Sequence, residues 1–220
     1  MKSLYESILS STNTGKASII KAWLDENGIK NYTINSKGEV DVDGDVNLIN
    51  CGLTELPSYI QFGSVKGNFF CNNNNLTTLK GAPKKVGGGF ECKYNKLTSL
   101  KGAPKEVGGY FECSFNNLIS LEGAPIEINS YFDCSNNKLT SLEGAPERVG
   151  MSFSCRNNKL TTLEGAPEKV GEWFHCNNNR LTSLEGAPKE ASYFNCEKNT
   201  TKFSKKDVRK VCKVKKKIYV

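Results

Sequence analysis

The side chains best equipped for chemistry in this sequence are its nine cysteines and its one histidine, His175. Seven of the cysteines stand at 71, 92, 113, 134, 155, 176 and 196, so that five intervals of twenty-one residues are followed by one of twenty. Thiols act as nucleophiles when a base activates them and as zinc ligands when several converge, usually from C-x₂-C pairs. Neither condition is met here. A single imidazole cannot serve seven thiols, no C-x₂-C pair occurs, and one cysteine every twenty-one residues forms a row that does not converge. The expected chemistry is therefore none: reduced, buried, unreactive fillers, with no catalytic residue, no metal and no cofactor. The acidic stretch "DVDGD", Asp41 to Asp45, resembles a calcium loop only at its start. An EF-hand loop needs Gly sixth and Glu twelfth, where this sequence has Val46 and Gly52, so it reads as an acidic turn.

What the cysteines do mark is a register. Two residues before each is Phe (69, 90, 111, 132, 153, 174, 194), and three residues after each is Asn (74, 95, 116, 137, 158, 179, 199). Leu follows at 76, 97, 118, 139, 160 and 181, and again at 79, 100, 121, 142, 163 and 184. Gly-Ala-Pro closes six segments, from Gly81-Ala82-Pro83 to Gly186-Ala187-Pro188. Phe-x-Cys has the period of a strand, with both side chains on one face. One such unit buries too little apolar surface to fold alone, whereas stacked units share a continuous core. Twenty-one residues leave no room for a full helix, and Pro opposes one. The return path is thus expected to be extended or 3₁₀-like.

The pattern resembles the leucine-rich repeat, whose core LxxLxLxxNxL is matched here as xxFxCxxNxL from about Val46 to Phe203, with Cys in place of the second Leu of the strand. The short repeat and the lead-in Leu53-Thr54-Glu55-Leu56-Pro57 are similar to those of bacterial effector proteins. The fuller string "LTSLEGAP" with its following "VGG" is similar to repeat proteins encoded by tailed bacteriophages. The resemblance implies an α+β solenoid, a right-handed coil with a parallel sheet on its concave face and helical caps. It also implies a non-enzymatic protein-binding role, an inhibitor or adaptor acting on a host cytoplasmic protein such as a component of antiviral defence.

Three segments follow: a cap over 1–45, a solenoid over 46–203 and a basic cap over 204–220. Apolar spacing suggests helices over 2–10 and 16–27, ending at Gly28, and a hairpin around Ser36-Lys37-Gly38. The first repeat is degenerate, with Leu48 at the Cys position and Cys51 at the Asn position. Ser204 to Asp207 reads as a capping box with Asp in place of Glu, opening a helix with Val208, Val211 and Cys212 on one face. "KKIYV" then suits a strand. No apolar run reaches membrane-spanning length, and "MKSLYESILSS" lacks a secretory h-region, so the expected location is the reducing cytoplasm.

The net charge of +7 is concentrated. Nine basic residues and one acid lie between 202 and 217, against 21 basic and 22 acidic residues in the rest of the chain. These lysines are read as the solvated outer face of a capping helix. The alternative is a phosphate grip on nucleic acid through Arg209, Lys210, Lys213, Lys215, Lys216 and Lys217. The outward columns beside the Phe-x-Cys strands carry more information. Before Phe stand Tyr110, Tyr131, Trp173 and Tyr193; between Phe and Cys stand Glu91, Glu112, Asp133 and His175. Arg156 follows a Cys directly, and Tyr94 and Phe115 stand one position further, among asparagines. Outward aromatics beside a run of acids have the composition of an interface core. They are the expected contact residues for another protein bearing a basic patch.

Overall fold

The computed structural model describes residues 13–220; the expected helix over 2–10 lies outside them. In every repeat the Phe-x-Cys segment pairs in parallel with the next, Phe against Phe: Phe69 with Phe90, then Phe111, Phe132, Phe153, Phe174 and Phe194. Val46 extends this row at one end and Ile218 at the other. The result is a parallel β-solenoid of the leucine-rich-repeat kind. Most rungs are only two residues long, as in Phe111–Glu112. A strand so short holds because each coil offers its neighbours several identical rows at once.

The interior is made of rows of like residues. The Phe rings stack face to face with centroids 5.2–5.8 Å apart from Phe69 to Phe174. The two Leu columns are buried behind them. The cysteines are buried and unpaired, and most donate their S–H to a strand carbonyl of the next coil, as Cys113 does to Asp133 at 3.3 Å. A leucine at that position could not do so, which gives the substitution a physical rationale although such bonds are weak. The asparagines form the polar row. Asn116 Nδ2 donates to the carbonyls of Cys92, Cys113 and Ser114, while its Oδ1 accepts from the amide of Leu97. One side chain thereby satisfies backbone groups of two successive coils.

The return path is extended, not 3₁₀. Residues such as Glu106–Val107 and Arg148–Val149 form a second parallel ladder beside the first. It runs in two pieces, with the gap between Glu106–Val107 and Glu127–Ile128. Glycine explains the close stacking: a Cβ on Gly108 would lie 2.2 Å from the carbonyl oxygen of Gly87 in the coil below. The break coincides with the coil that has Asn129 where its neighbours have Gly108 and Gly150. In Leu100-Lys101-Gly102-Ala103 the Ala103 amide donates to the Leu100 carbonyl and Gly102 has φ +90, the signature of a type II turn.

Both ends are closed as their local chemistry dictates. Helix α1, Asn13–Glu26, buries Ile20 and Leu24. It ends in a Schellman motif, with Gly28 at φ +66 and bonds from Ile29 to Leu24 and from Gly28 to Asp25. The hairpin follows, Tyr32–Ile34 antiparallel to Val40–Val42. The acidic turn holds coils together: Asp41 accepts from the amide and hydroxyl of Ser64, and Asp45 from the amide of Asn68. Leu48 is buried and Cys51 exposed, as the degenerate first repeat requires. Helix α2, Lys205–Val211, carries the expected Ser204/Asp207 capping box; its bond from the Ser204 hydroxyl, then from the Ser204 amide, draws the Asp207 carboxyl down to about 2.

Two expectations about this end need correction. Val211 is 38% exposed, not packed with Val208 and Cys212, because it is the last helical residue and the chain turns into a strand at Cys212. Lys213 and Lys215 are not on the face of a helix but, like Lys216 and Lys217 of the expected closing strand, on a strand. That strand, Lys213–Tyr219, pairs in parallel with Glu190–Asn195 and forms the edge of the sheet. An open edge invites further pairing, and lysines are a common guard against it.

Candidate functional site

Pleating turns alternate residues of each rung outward, so the varied columns become one surface. The structure brings the sequence-predicted residues together in three groups. The first centres on Tyr110 and Tyr131, stacked with centroids 4.7 Å apart and planes within 7°. Gly89 makes room for this: a Cβ there would lie 2.4 Å from the Tyr110 ring, which reaches across to donate a 2.7 Å hydrogen bond to Glu91 Oε1. Lys93 bridges Glu112 at 3.0 Å and Glu91 at 3.5 Å. Burial works against the Lys93 charge, but the two carboxylates more than offset it and its pKa rises. Burial, followed by the Glu91 bond, raises the Tyr110 phenol. Tyr131 is pushed up to about 12 by burial and then by Glu112, Glu91 and Asp133. Both phenols stay neutral donors through the physiological range.

The second group surrounds Trp173. Its indole stacks on Tyr193 at 4.2 Å and on His175 at 4.9 Å. Sequence reasoning missed two features of this cluster. Tyr219 joins the stack on Trp173 at 5.6 Å, because the last strand extends the sheet by one rung and puts Tyr219 opposite Asn195. Lys216 and Lys217 lie over the rings of Tyr193 and Tyr219 at 5.2 and 4.6 Å. The signal was present in the tail, where Ile218-Tyr219 copies the Phe-plus-outward-residue register. Burial, then the nearby Arg156 charge, lowers the His175 pKa, so the imidazole is neutral near pH 7.

The third group is Tyr94 and Phe115. Their rings stack at 4.4 Å and are 47% and 42% exposed. Both residues have φ +53, the left-handed conformation that every coil adopts two residues after the Cys position. Asn occupies this position at 50, 73, 136, 157 and 178, and Lys at 198. Asn suits such backbone and a bulky aromatic does not; the penalty is about 1–2 kcal/mol per residue. The column immediately after Cys is less outward than its polarity suggests. Arg156 is exposed, but Ser114 and Ser135 are 1% and 0% exposed, each hydrogen-bonded to a neighbouring side chain.

The basic residues of the alternative reading are largely engaged. Lys210 pairs with Asp207 and Lys215 with Glu190, while Lys216 and Lys217 cover rings; Arg209 and Lys213 are exposed. Among the described residues no three His, Cys, Asp or Glu side chains gather as metal ligands, and no helix is long and apolar enough to cross a membrane.

No family model matches the sequence, and no curated protein matches it. Among solved structures the chain is similar to YopM from Yersinia enterocolitica WA-314, at 17% identity with a TM-score of 0.39. The match covers 70% of this chain and 47% of that one, so the chain spans about half the length of the structure it resembles.

Proposed function

We propose that this chain is a non-enzymatic binding module that docks another protein on the outward face of its strand ladder. The observation that carries the proposal is the Tyr94–Phe115 stack. Two aromatic residues occupy left-handed backbone where Asn stands in most coils, and they leave their rings in solvent. Local strain together with exposed apolar surface disfavours the free molecule and is compensated when a partner covers the rings.

The charge of the same face defines the partner. Glu91, Glu112 and Asp133 outnumber Lys93, so the surface beside Tyr131 is acidic and suits a protein with a basic patch. Tyr110, Tyr131, Trp173 and Tyr193 would supply contact area at low entropic cost, being already stacked. The finer reading is an inhibitor or adaptor encoded by a tailed bacteriophage and acting on a host cytoplasmic protein. It is supported by the likeness of the Leu-Glu-Gly-Ala-Pro repeat string to such proteins.

Affinity capture from bacterial lysate with mass spectrometry tests the proposal. A protein retained by the wild-type chain should be lost from Tyr94→Asn/Phe115→Asn and from Tyr131→Ala/Trp173→Ala. Retention by both variants, each shown to be folded, rules out this face as the docking surface.

A further inference from the structure

The outward aromatic row has a gap one coil wide. Reading along it, Tyr110 and Tyr131 are followed by Ser152, and Trp173 and Tyr193 resume the row. The parallel column repeats the gap: after Glu112 and Asp133 comes Ser154, before His175. The coil at 150–155 thus presents two serines where its neighbours present large side chains. Between them the structure has a hollow of about 260 Å³, lined by Tyr131, Asp133, Ser152, Ser154, Arg156 and His175, among others.

Its dimensions fit one ring. Strands stack about 4.8 Å apart, so walls two coils apart are separated by roughly 9.6 Å. One aromatic ring between two flanking rings fills such a space, and a cavity of about 150 Å³ already admits benzene. Each wall is also the end of a ring stack, Tyr110–Tyr131 on one side and Trp173–His175 on the other. Two polar groups at the floor and rim are uncommitted, whereas Asp133 Oδ1 accepts from the Ser135 amide. Ser154 Oγ is wholly buried and has no hydrogen-bond partner among the described residues. Arg156 is exposed and makes no ion pair among them.

We infer that this slot receives a tyrosine side chain of the partner protein, its ring between Tyr131 and His175 and its hydroxyl toward Ser154 or Arg156. The inference rests on the reading of this face as a protein-docking surface and specifies what enters it. A nucleobase would meet the same walls, but the phosphates of a nucleic acid carrying it would approach Asp133, Glu112 and Glu91, which disfavours nucleic acid as the occupant.

The test uses N-acetyl-tyrosine amide as the probe, titrated into the full chain while the ring signals of Tyr131 and His175 are followed by ¹H–¹³C NMR. N-acetyl-leucine amide and adenosine serve as comparisons. The tyrosine amide should bind with a millimolar dissociation constant and at least tenfold more tightly than either comparison. Ser152→Tyr should weaken it at least tenfold by filling the slot with the chain's own ring. That variant restores the residue found at 110, 131 and 193, so the fold should accept it. His175→Ala, which removes one wall, should weaken the probe by a similar factor and gives an independent reading. Binding within twofold of wild type in either folded variant, no shift at all, or adenosine binding as tightly as the tyrosine amide overturns the assignment. Tyr94→Asn/Phe115→Asn should leave probe binding unchanged. Failure of the slot is therefore distinguishable from failure of the docking surface.

Discussion

Two stacks of rings run along this molecule, one inside and one outside, on the same rungs. The inner stack, Phe69 to Phe194, is fully buried and unbroken, one Phe per coil. The outer stack is partly exposed, changes residue type from coil to coil and is interrupted at Ser152. Identical spacing acts on both, so spacing alone does not explain the difference. Inside, any departure leaves a void that no water fills, and the sequence repeats. Outside, solvent tolerates any residue, and variation there reflects what the surface does. The partition between invariant and varied columns is a partition between packing and recognition.

Thiol reactivity should show the sharpest contrast between inside and outside. Burial first, then neighbouring thiols and carboxylates, raise the cysteines from 71 to 176 well beyond their ordinary range, and Cys196 is pushed up to about 12. In native protein at pH 8, an aromatic disulfide reagent should label the exposed Cys51 at once. The row from Cys71 to Cys196 should react on the order of a thousandfold more slowly or less, at the rate the protein unfolds. Fast labelling of several row cysteines would mean the interior is open.

Breaking the inner stack comes next. Phe132→Ala should lower stability by about 3–5 kcal/mol in urea unfolding, the usual range for removing a buried ring. Asn116→Ala should lower it by about 2–3 kcal/mol, because the Leu97 amide and carbonyls of two coils lose their partner inside the protein. The exposed Tyr94–Phe115 pair should respond differently. Tyr94→Asn/Phe115→Asn trades a ring contact for relief of left-handed strain, so stability should change by under about 1 kcal/mol. Partner capture should be lost all the same. A large destabilisation by that pair would show that the exposed rings are structural.

Much of this was legible in the sequence because repetition converts letters into rows. Seven registers of Phe, Cys and Asn sufficed to place the strand, its inward face and the polar row. The capping box at Ser204 and the hairpin at Ser36-Lys37-Gly38 were legible from local chemistry. What stayed hidden depended on coils meeting in space. Nothing in one repeat shows that Tyr110 reaches Glu91 in the coil below, or that Lys93 joins Glu91 of its own coil to Glu112, nineteen residues on. Val211 was misplaced because the helix ends at it and the chain turns away there, which helical spacing alone does not show. Tyr219 was missed because the closing strand at KKIYV was not read as one more rung of the ladder. The backbone strain at Tyr94 and Phe115 is visible only in dihedral angles, although their place among asparagines hinted at it.

The strand Lys213–Tyr219 has a consequence for how two copies of the molecule could meet. A parallel ladder has no geometric reason to stop, since its last rung offers the same amides and carbonyls that its first rung needed. Here the terminal rung carries Lys213, Lys215, Lys216 and Lys217 within five residues. Mutual repulsion between two such edges opposes their pairing, so charge disfavours edge-to-edge association where backbone shape would permit it.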